Sequence, residues 1–398
     1  RPGARADRCL CLGRGDTAVC GCVSTGVHLM RVVHVIDHLG AGGAQRLVAD
    51  LAPRQKQRGH IVTVVCLRHP TQTGRVLETA GVRVHYLRLG RTDPRQTIDL
   101  PALLHKESPD IVHTHLTLSC LLGRIAAVMV GVEAVVVHDH EADAEIFITP
   151  APLLALKRLI EPYLPPRGVR YIVISHSALA YACQVRHLPE SNLFLVPNGV
   201  DIAYLERGRV SSKAAREQIG LPVDVPLIGY AGRIAPEKGI DLLLEALSRL
   251  SGVHAAIAGH GPLANEMQAY ARKLGVAERA HFLGHLDDIR PLLWACDVYV
   301  QPSRREAFGL AAAEASALGL PVVASRIGGL RDVVLDKVTG MLFQPDNVDE
   351  LASSLEILVE NVEYARMLGS AGQHYVRQYF TIDKVIDRID EIYQGILR

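Results

Sequence analysis

From Arg31 onward, short β-branched runs alternate with longer stretches in which apolar residues recur at helical spacing. RVVHVI (31–36) leads to a helix from about Gly43, then IVTVVC (61–66), a turn, VRVHYL (82–87), a helix near Leu100, IVHTH (111–115), a helix from Leu118 and AVVVH (134–138). A helix over 152–164, YIVIS (171–175), a helix from Ser177 and LFLVP (193–197) close a first unit near Asn198. The pattern then restarts with a strand at 226–231, a helix at 240–250, VHAAIAG (253–259) and a helix at 263–274; HFLG, DVYVQP and PVVAS are further strands with helices between them. Apolar strands separated by helices form parallel sheets covered on both faces. The chain is therefore expected to be α/β, with two doubly wound, Rossmann-like units at 30–200 and 201–381. They are joined by polar, Arg-rich sequence holding one short helix between 201 and 224. Open parallel sheets bind ligands beyond the carboxyl ends of their strands, so the two units are expected to face each other across a cleft lined by those loops.

Composition narrows the class. The 398 residues supply two cores of ordinary size without disulfides or metals. Lys plus Arg number 43 against 42 Asp plus Glu, a net charge of +1, which argues against nucleic acid as partner and leaves room for a local basic cleft. Aromatic residues at 5% also speak against a stacking platform for single strands. Four of the eight cysteines (Cys9, Cys11, Cys20, Cys22) crowd the first 22 residues, and the other four lie singly in apolar segments, a distribution that fits a reducing compartment. The paired C-x-C spacing has the donors for zinc but no strand or helix pattern around it, so residues 1–29 read as an unstructured arm or leader ahead of Met30. The longest apolar region, 116–137, is broken by Arg124 and Glu133. The expectation is a cytoplasmic protein with at most peripheral membrane contact.

Four loops carry candidate chemistry. Leu39 to Gln45 is a glycine-rich turn opening a helix, where bare amides and the helix dipole meet an anion; Gln45 stands where a dinucleotide fingerprint wants glycine. Gly259-His260-Gly261-Pro262 is a second such turn, which matches the loose pattern through Ala264 and decides nothing alone. Between Gly229 and Gly239, Arg233 and Lys238 follow a strand end, one able to fork onto a phosphate and the other to act as a point charge. Glu306 and Glu314 stand eight residues apart, the first in the loop after DVYVQP and the second in the helix that follows. Glu314 lies among alanines, where an unpaired charge is costly, so it requires a partner: the hydroxyls of a sugar or a neighbouring cation.

In order along the chain, GGAQRLVADLAPRQKQRGH, PDIVHTH, VPNGVD, GRIAPEKGIDLLLEA, GHGPL, REAFGLAAAEASALGLPVVAS and the following Gly328-Gly329 resemble the retaining glycosyltransferases of family 4, over nearly the whole length from Met30. The resemblance implies the GT-B fold and transfer of a sugar from a nucleotide-diphosphate sugar to an acceptor glycan, lipid or small molecule, in cell-envelope polysaccharide or glycolipid synthesis. It implies that Arg233 and Lys238 hold the diphosphate, Glu314 the ribose hydroxyls and Glu306 a place beside the donor sugar. The backbone of Phe308, Gly309 and Leu310 would line that sugar, Gly261 would belong to the donor loop, and Gly42 and Gly43 would close over the phosphate from the first domain. The helical period from Ile382 to Leu397 is implied to cross back onto that domain. Two departures bear on the donor: Ala307 stands where relatives often have glycine, and the GG-x-x-Glu pattern ends in Asp332, a shorter carboxylate.

The strand end Val137-His138-Asp139-His140-Glu141-Ala142-Asp143 admits three readings. The resemblance implies a histidine against the donor sugar, His140 first and His138 as the alternative. A zinc set of H-x-H-x-D form fails because residue 142 is alanine, and a solvated loop is the third reading. His113 and His115 form a second such end, ranked below His140. No Asp-x-Asp sits at a strand end, so no metal cofactor is expected. Three rivals remain: a nucleotide-sugar epimerase, a non-catalytic sugar-nucleotide binding protein and an NAD-dependent oxidoreductase. Acceptor choice lies in loops such as 88–94 and 141–167, which carry no recognisable pattern; Arg88, Arg91, Arg95, Lys157 and Arg158 there are either a solvated face or an approach to an anionic membrane.

Overall fold

The computed structural model describes residues 29–40, 42–88, 90, 93, 95–140 and 168–398. The arm before Leu29, the helix expected at 152–164, Arg91, Glu141, Asp143, Lys157 and Arg158 lie outside the described residues.

Two parallel sheets form the frame. The first is built from β1 (Arg31–Ile36), β2 (Ile61–Cys66), β3 (Arg83–Tyr86), β4 (Ile111–His115), β5 (Val135–Asp139), β6 (Val169–Val173) and β7 (Leu193–Leu195), in the spatial order β3-β2-β1-β4-β5-β6-β7. The second contains β8 (Leu227–Ala231), β9 (His254–Ala258), β10 (Ala280–Gly284), β11 (Val298–Gln301), β12 (Val322–Ser325) and β13 (Met341–Phe343), in the order β10-β9-β8-β11-β12-β13. In each sheet the order reverses once, between β1 and β4 and between β8 and β11, and a crevice opens beyond the strand ends at such a reversal. β1 runs out toward Gly42, β4 ends at His115, β8 runs out toward Arg233 and β11 toward Glu306, so four of the chemistry-bearing loops leave the sheets at the two reversals.

The helices that matter for the site start at those loops. α1 (Gly43–Gln57) buries Leu47, Val48, Leu51 and Ala52, one stripe at helical spacing, against the first sheet. Further along the first unit come α2 (Gln72–Thr79), α3 (Gln96–Glu107), α4 (Thr117–Met129) and α5 (His176–Gln184). α2 occupies the stretch where a turn was expected; it buries only Gly74 and Leu77, too few apolar positions to show a period, and the Thr71 hydroxyl caps its Gly74 amide. The join between units holds two helices, α6 (Ile202–Glu206) and α7 (Ser212–Gln218), instead of one. They are anchored by Leu205, Ala215 and a buried arginine: Arg216 donates to the carbonyls of Val223, Val225 and Ala295 and pairs with Asp297 at 2.7 Å. No hydrophobic pattern announces an anchor of that kind. β13 was also unanticipated, being three residues long and shielded by the last helices.

The second unit continues with α8 (Ile240–Arg249), α9 (Ala264–Lys273), α10 (Arg290–Ala295), α11 (Leu310–Ala317), α12 (Leu330–Val333), α13 (Val348–Glu360), α14 (Val362–Tyr379) and α15 (Ile382–Leu397). α15 lies apart from the sheet that precedes it in sequence. Its Ile382, Val385, Ile386, Ile389, Ile392 and Tyr393 are buried in one cluster with Met30, Val32, Leu47, Leu51, Ile111 and Ile172 of the first unit. Arg58 reinforces the seam by pairing with Asp387 and Asp390 at 2.7 and 2.9 Å. Among the described residues, no helix is long and apolar enough to cross a membrane.

Ile389 is fully buried in that seam, so Ile389→Ala is expected to cost about 2–5 kcal/mol, read as a drop in the denaturation midpoint with the m-value unchanged.

Candidate active site

The second unit supplies one wall of the cleft. A 3-10 turn over Pro236–Lys238 brings the Lys238 ammonium back to Glu306, whose carboxylate it meets at 2.8 Å. A buried polar chain behind the pair fixes the acid. Ser303 Oγ donates to Glu306 Oε2 at 3.2 Å, Gln301 Nε2 donates to Ser303 Oγ at 2.9 Å, and the Tyr299 hydroxyl donates to Gln301 Oε1 at 3.1 Å. The same Tyr299 oxygen accepts from the Ala231 amide at 3.2 Å, which ties β11 to the end of β8. A carboxylate held by three supports in one rotamer is a positioned group. Arg233 differs: it is exposed, and its guanidinium has no hydrogen bond or ion pair among the described residues, while its carbonyl accepts from the Tyr230 hydroxyl at 3.1 Å.

Glycines shape the floor because backbone packs on backbone. The Gly232 amide donates to the Ala258 carbonyl at 3.0 Å, Ile234 to His260 at 3.1 Å and Leu263 back to Ile234 at 3.2 Å. A side chain on Gly259 would strike the Gly232 carbonyl, and one on Gly261 the Ile234 carbonyl. Gly309 sits at φ 94° as the N-cap of α11, with Leu310 the first helical residue, and a Cβ there would strike Leu330. Gly328 and Gly329 pack on the carbonyls of Glu306 and Ala307, and the Gly329 amide donates to Glu306 O at 3.2 Å. Phe308 turns its ring into the core, edge-on to Phe380 at 5.6 Å, so only its backbone faces the loop.

The first unit supplies the opposite wall. Gly42 and Gly43 open α1 with exposed backbone, and a Cβ on Gly43 would meet nothing within 4 Å. One turn later Arg46 pairs with Asp50 at 3.0 Å and lies over the Tyr204 ring at 4.5 Å; Arg290 covers the same ring at 4.3 Å. Arg46 also faces Glu314 across the cleft. Burial pushes the Glu314 carboxyl up to about 7, with the Arg46 charge opposing that rise and Asp50 adding to it. The Arg46 charge of the other unit thus offsets only part of what burial does to Glu314, and the ion-pair partner of Arg46 itself is Asp50. Asp332 accepts from the His176 amide at 2.7 Å and meets its imidazole at 3.1 Å, so the short carboxylate at the end of the GG motif clamps α12 to the start of α5.

His140 stands at the end of β5, buried, with Nε2 3.1 Å from His115 Nδ1. Burial lowers it to about 4, so the ring is neutral at physiological pH. No hydrogen bond or ion pair joins it to Glu306, Lys238 or Arg233 among the described residues. The structure thus joins Lys238 to Glu306 directly, Glu314 to the first unit through Arg46, and leaves Arg233 and His140 as separate points on the two walls. Sequence reasoning missed Arg46, Tyr204, Arg290, Gln301 and Ser303. The i,i+4 spacing of Arg46 and Asp50 in the first helix and the polar Gln301 ending an apolar strand were the available signals.

Comparison with known proteins gives the family and the fold. A family model described as Glycosyltransferase Family 4 matches residues 41–204, and one described as Glycosyl transferases group 1 matches 211–375. A D-inositol 3-phosphate glycosyltransferase of Xylanimonas cellulosilytica is 32% identical over 346 residues, covering 78% of this chain and 81% of the relative. Its namesake in Stackebrandtia nassauensis is 29% identical over 378 residues, covering 85% and 83%. Among solved structures, Anabaena HepE in complex with UDP-glucose superposes with a TM-score of 0.81 at 22% identity, covering 92% of this chain and 100% of that one. A glycosyltransferase from Rickettsia africae gives 0.80 at 19% identity, covering 93% and 99%. These last two likenesses speak to the fold.

Because the Gly261 Cα sits against the Ile234 carbonyl with no room for a methyl group, Gly261→Ala is expected to destabilise by about 1–3 kcal/mol, while Gly43→Ala, facing open space, shifts stability by less than about 0.5 kcal/mol; thermal denaturation of the two variants measures both.

Proposed function

The chain belongs to glycosyltransferase family 4, and from that premise we propose that its cleft transfers a sugar from a nucleotide-diphosphate sugar to an acceptor hydroxyl with retention at the anomeric carbon. The observation that carries this reading is the Lys238–Glu306 pair in the loop that also holds Arg233, exposed and without a hydrogen bond or ion pair among the described residues, with the buried acid Glu314 under the charge of Arg46: cations for a diphosphate and separate acids for two sugars. The diphosphate displaces Lys238 from Glu306 and draws in Arg233, and the two cations meet the charge that grows on the leaving oxygen. Glu306, released but still held by Ser303 and Gln301, takes a hydroxyl of the donor sugar. Glu314 exchanges the influence of Arg46 for the ribose hydroxyls. Phe308, Gly309 and Leu310 offer backbone to the sugar, Gly42, Gly43 and Gly261 the close backbone approach to the phosphates, and His140 the opposite face.

In the transfer, the bond from the anomeric carbon to the phosphate oxygen breaks with its electron pair staying on phosphate. The acceptor oxygen bonds to that carbon on the same face, and its proton passes to the departing phosphate oxygen. No side chain is required as base. Arg233 and Lys238 would supply the positive charge that a divalent cation gives in other enzymes, so the reading includes transfer without metal at the diphosphate. Cytoplasmic synthesis of cell-envelope polysaccharide or glycolipid is part of the same reading. The acceptor screen begins with inositol 3-phosphate, the compound in the relatives' name, and extends to sugars and lipid-linked glycans.

Two measurements test it. With an acceptor found by that screen, Glu306→Gln is expected to lower transfer at least about 100-fold while nucleoside diphosphate affinity changes less than about threefold. Epimerised donor formed without acceptor would favour the epimerase, and unchanged turnover in the variant would remove Glu306 from the mechanism. Glu314 adds a pH signature. Its carboxyl, raised by burial to about 7, gains a proton as the pH falls, and a neutral acid is the poorer acceptor for ribose hydroxyls. Affinity for UDP or GDP should therefore weaken from pH 8 to pH 6, approaching tenfold per unit below 7, and this dependence should flatten in Glu314→Gln when followed by calorimetry.

A further inference from the structure

Five histidines gather where β1, β4 and β5 lie side by side, and all five are buried: His34, His113, His115, His138 and His140. The strand registers put them in contact. His34 is opposite His113, with His115 two residues further along β4, and His115 is opposite His138. Their rings form a ladder, His138 stacked on His140 and His113 tilted by 32° against His115, both pairs at 4.2 Å between centroids.

The polarity of the ladder follows from Gln55. Its amide nitrogen faces the Asp390 carboxylate at 3.5 Å, so its Oε1 faces His34 and accepts from Nε2–H at 2.8 Å. His34 Nδ1 then holds a lone pair and accepts from His115 Nε2–H at 3.0 Å. This leaves the His115 Nδ1 lone pair aimed at His140, 3.1 Å away. On the other branch, Tyr393 bonds His113 Nδ1, and His113 Nε2 lies 3.3 Å from His138 Nδ1. At the far end of the two branches, His138 Nε2 and His140 Nδ1 are buried with no hydrogen-bond partner among the described residues. A buried nitrogen in that state loses its hydration and gains nothing in return.

One nitrogen from each of His115, His138 and His140 falls within 4.8 Å of the others. We propose that these three imidazoles form a binding site for a divalent transition ion of the zinc, cobalt or nickel type. Bonds of about 2.0–2.1 Å from nitrogen to metal require the three to close by small ring rotations, with the proton that His140 Nε2 now gives to His115 Nδ1 moving to His140 Nδ1, so that His115 Nδ1 and His140 Nε2 both turn lone pairs to the cation. The outer shell is already in place. The far nitrogen of His115 bonds His34, the far nitrogen of His138 bonds His113, and both lead to α15 and Gln55, an arrangement that fixes the tautomer of a ligating ring. The deeper group of His34, His113 and His115 is not the site, because both ring nitrogens of His34 and of His113 are already engaged. Nitrogen donors of this kind suit borderline transition ions and exclude magnesium and calcium. The third ligand comes from β4, the neighbouring strand, which is why the H-x-H spacing on β5 alone fails as a metal motif. The proposal does not depend on the transfer reading, since it concerns binding by the chain without donor or acceptor.

The test uses the untagged full chain, stripped with a chelator and titrated with Zn2+ by calorimetry and with Co2+ by absorption. The expected result is about one ion per chain with a Kd of about 1 µM or tighter, a raised Tm, no response to Mg2+, and Co2+ bands without thiolate charge transfer. His138→Ala and His140→Ala should each weaken Zn2+ binding more than about 100-fold, and Gln55→Leu, an outer-shell change, about 10–100-fold. His281→Ala, which breaks the His254–His281 contact of 2.9 Å in the second unit, should leave binding unchanged. Circular dichroism verifies that each variant folds, and His140, at the strand end, is the variant expected to fold if His138→Ala does not. Binding below about 0.1 ion per chain, equal affinity in wild type and the His140 variant, or a thiolate band pointing to Cys9, Cys11, Cys20 and Cys22 would overturn the proposal.

Discussion

A charge drawn out of water needs a partner, and the cleft supplies one for Glu306 from its own groups. Lys238 holds Glu306 at 2.8 Å, while the Arg46 charge of the first unit offsets part of what burial does to Glu314 of the second. Burying any of these alone would cost more than the surrounding packing returns. The pairs therefore decide where the loops lie. The turn over Pro236–Lys238 folds back to bring its ammonium to the acid, and the Tyr299–Gln301–Ser303 chain exists because that acid has further lone pairs to satisfy.

The same constraint connects the two units. Tyr204 is covered on both faces by guanidinium groups, Arg46 from the first helix and Arg290 from α10, and Arg290 in turn forks onto Asp288 at 2.7 Å. Asp332 reaches across to the start of α5. These are polar contacts between groups that remain partly hydrated, individually weak and easily exchanged for others. The glycine floor beneath them is closely packed, with backbone on backbone at Gly259 and Gly261, where an added side chain would strike a carbonyl.

Much of this was legible before any coordinates. Short β-branched or apolar runs mark twelve of the thirteen strands among the described residues; β13, the three residues Met341–Phe343, carries no β-branched residue and was not recognised. Lys238, Glu306 and Glu314 were visible because charge in an apolar setting needs explanation. What remained hidden was long-range pairing. Nothing in the local sequence tells Arg46 that Glu314 lies opposite, or tells His138 that His115 stands on the adjacent strand, since both depend on sheet order. α2 and the two helices of the join were misjudged for another reason: they are held by a cap, a buried arginine and a few apolar contacts, not by an amphipathic period.

The placement of α15 has a consequence for biosynthesis. Ile382 to Leu397 complete the apolar seam of the unit that begins with β1, yet they leave the ribosome after every strand of the second sheet. During translation the leading lobe must wait with Leu47, Leu51 and Ile111 uncovered while the trailing lobe is made. Folding of the nascent chain would then finish where it started, with the trailing lobe consolidated first and the leading one sealed last.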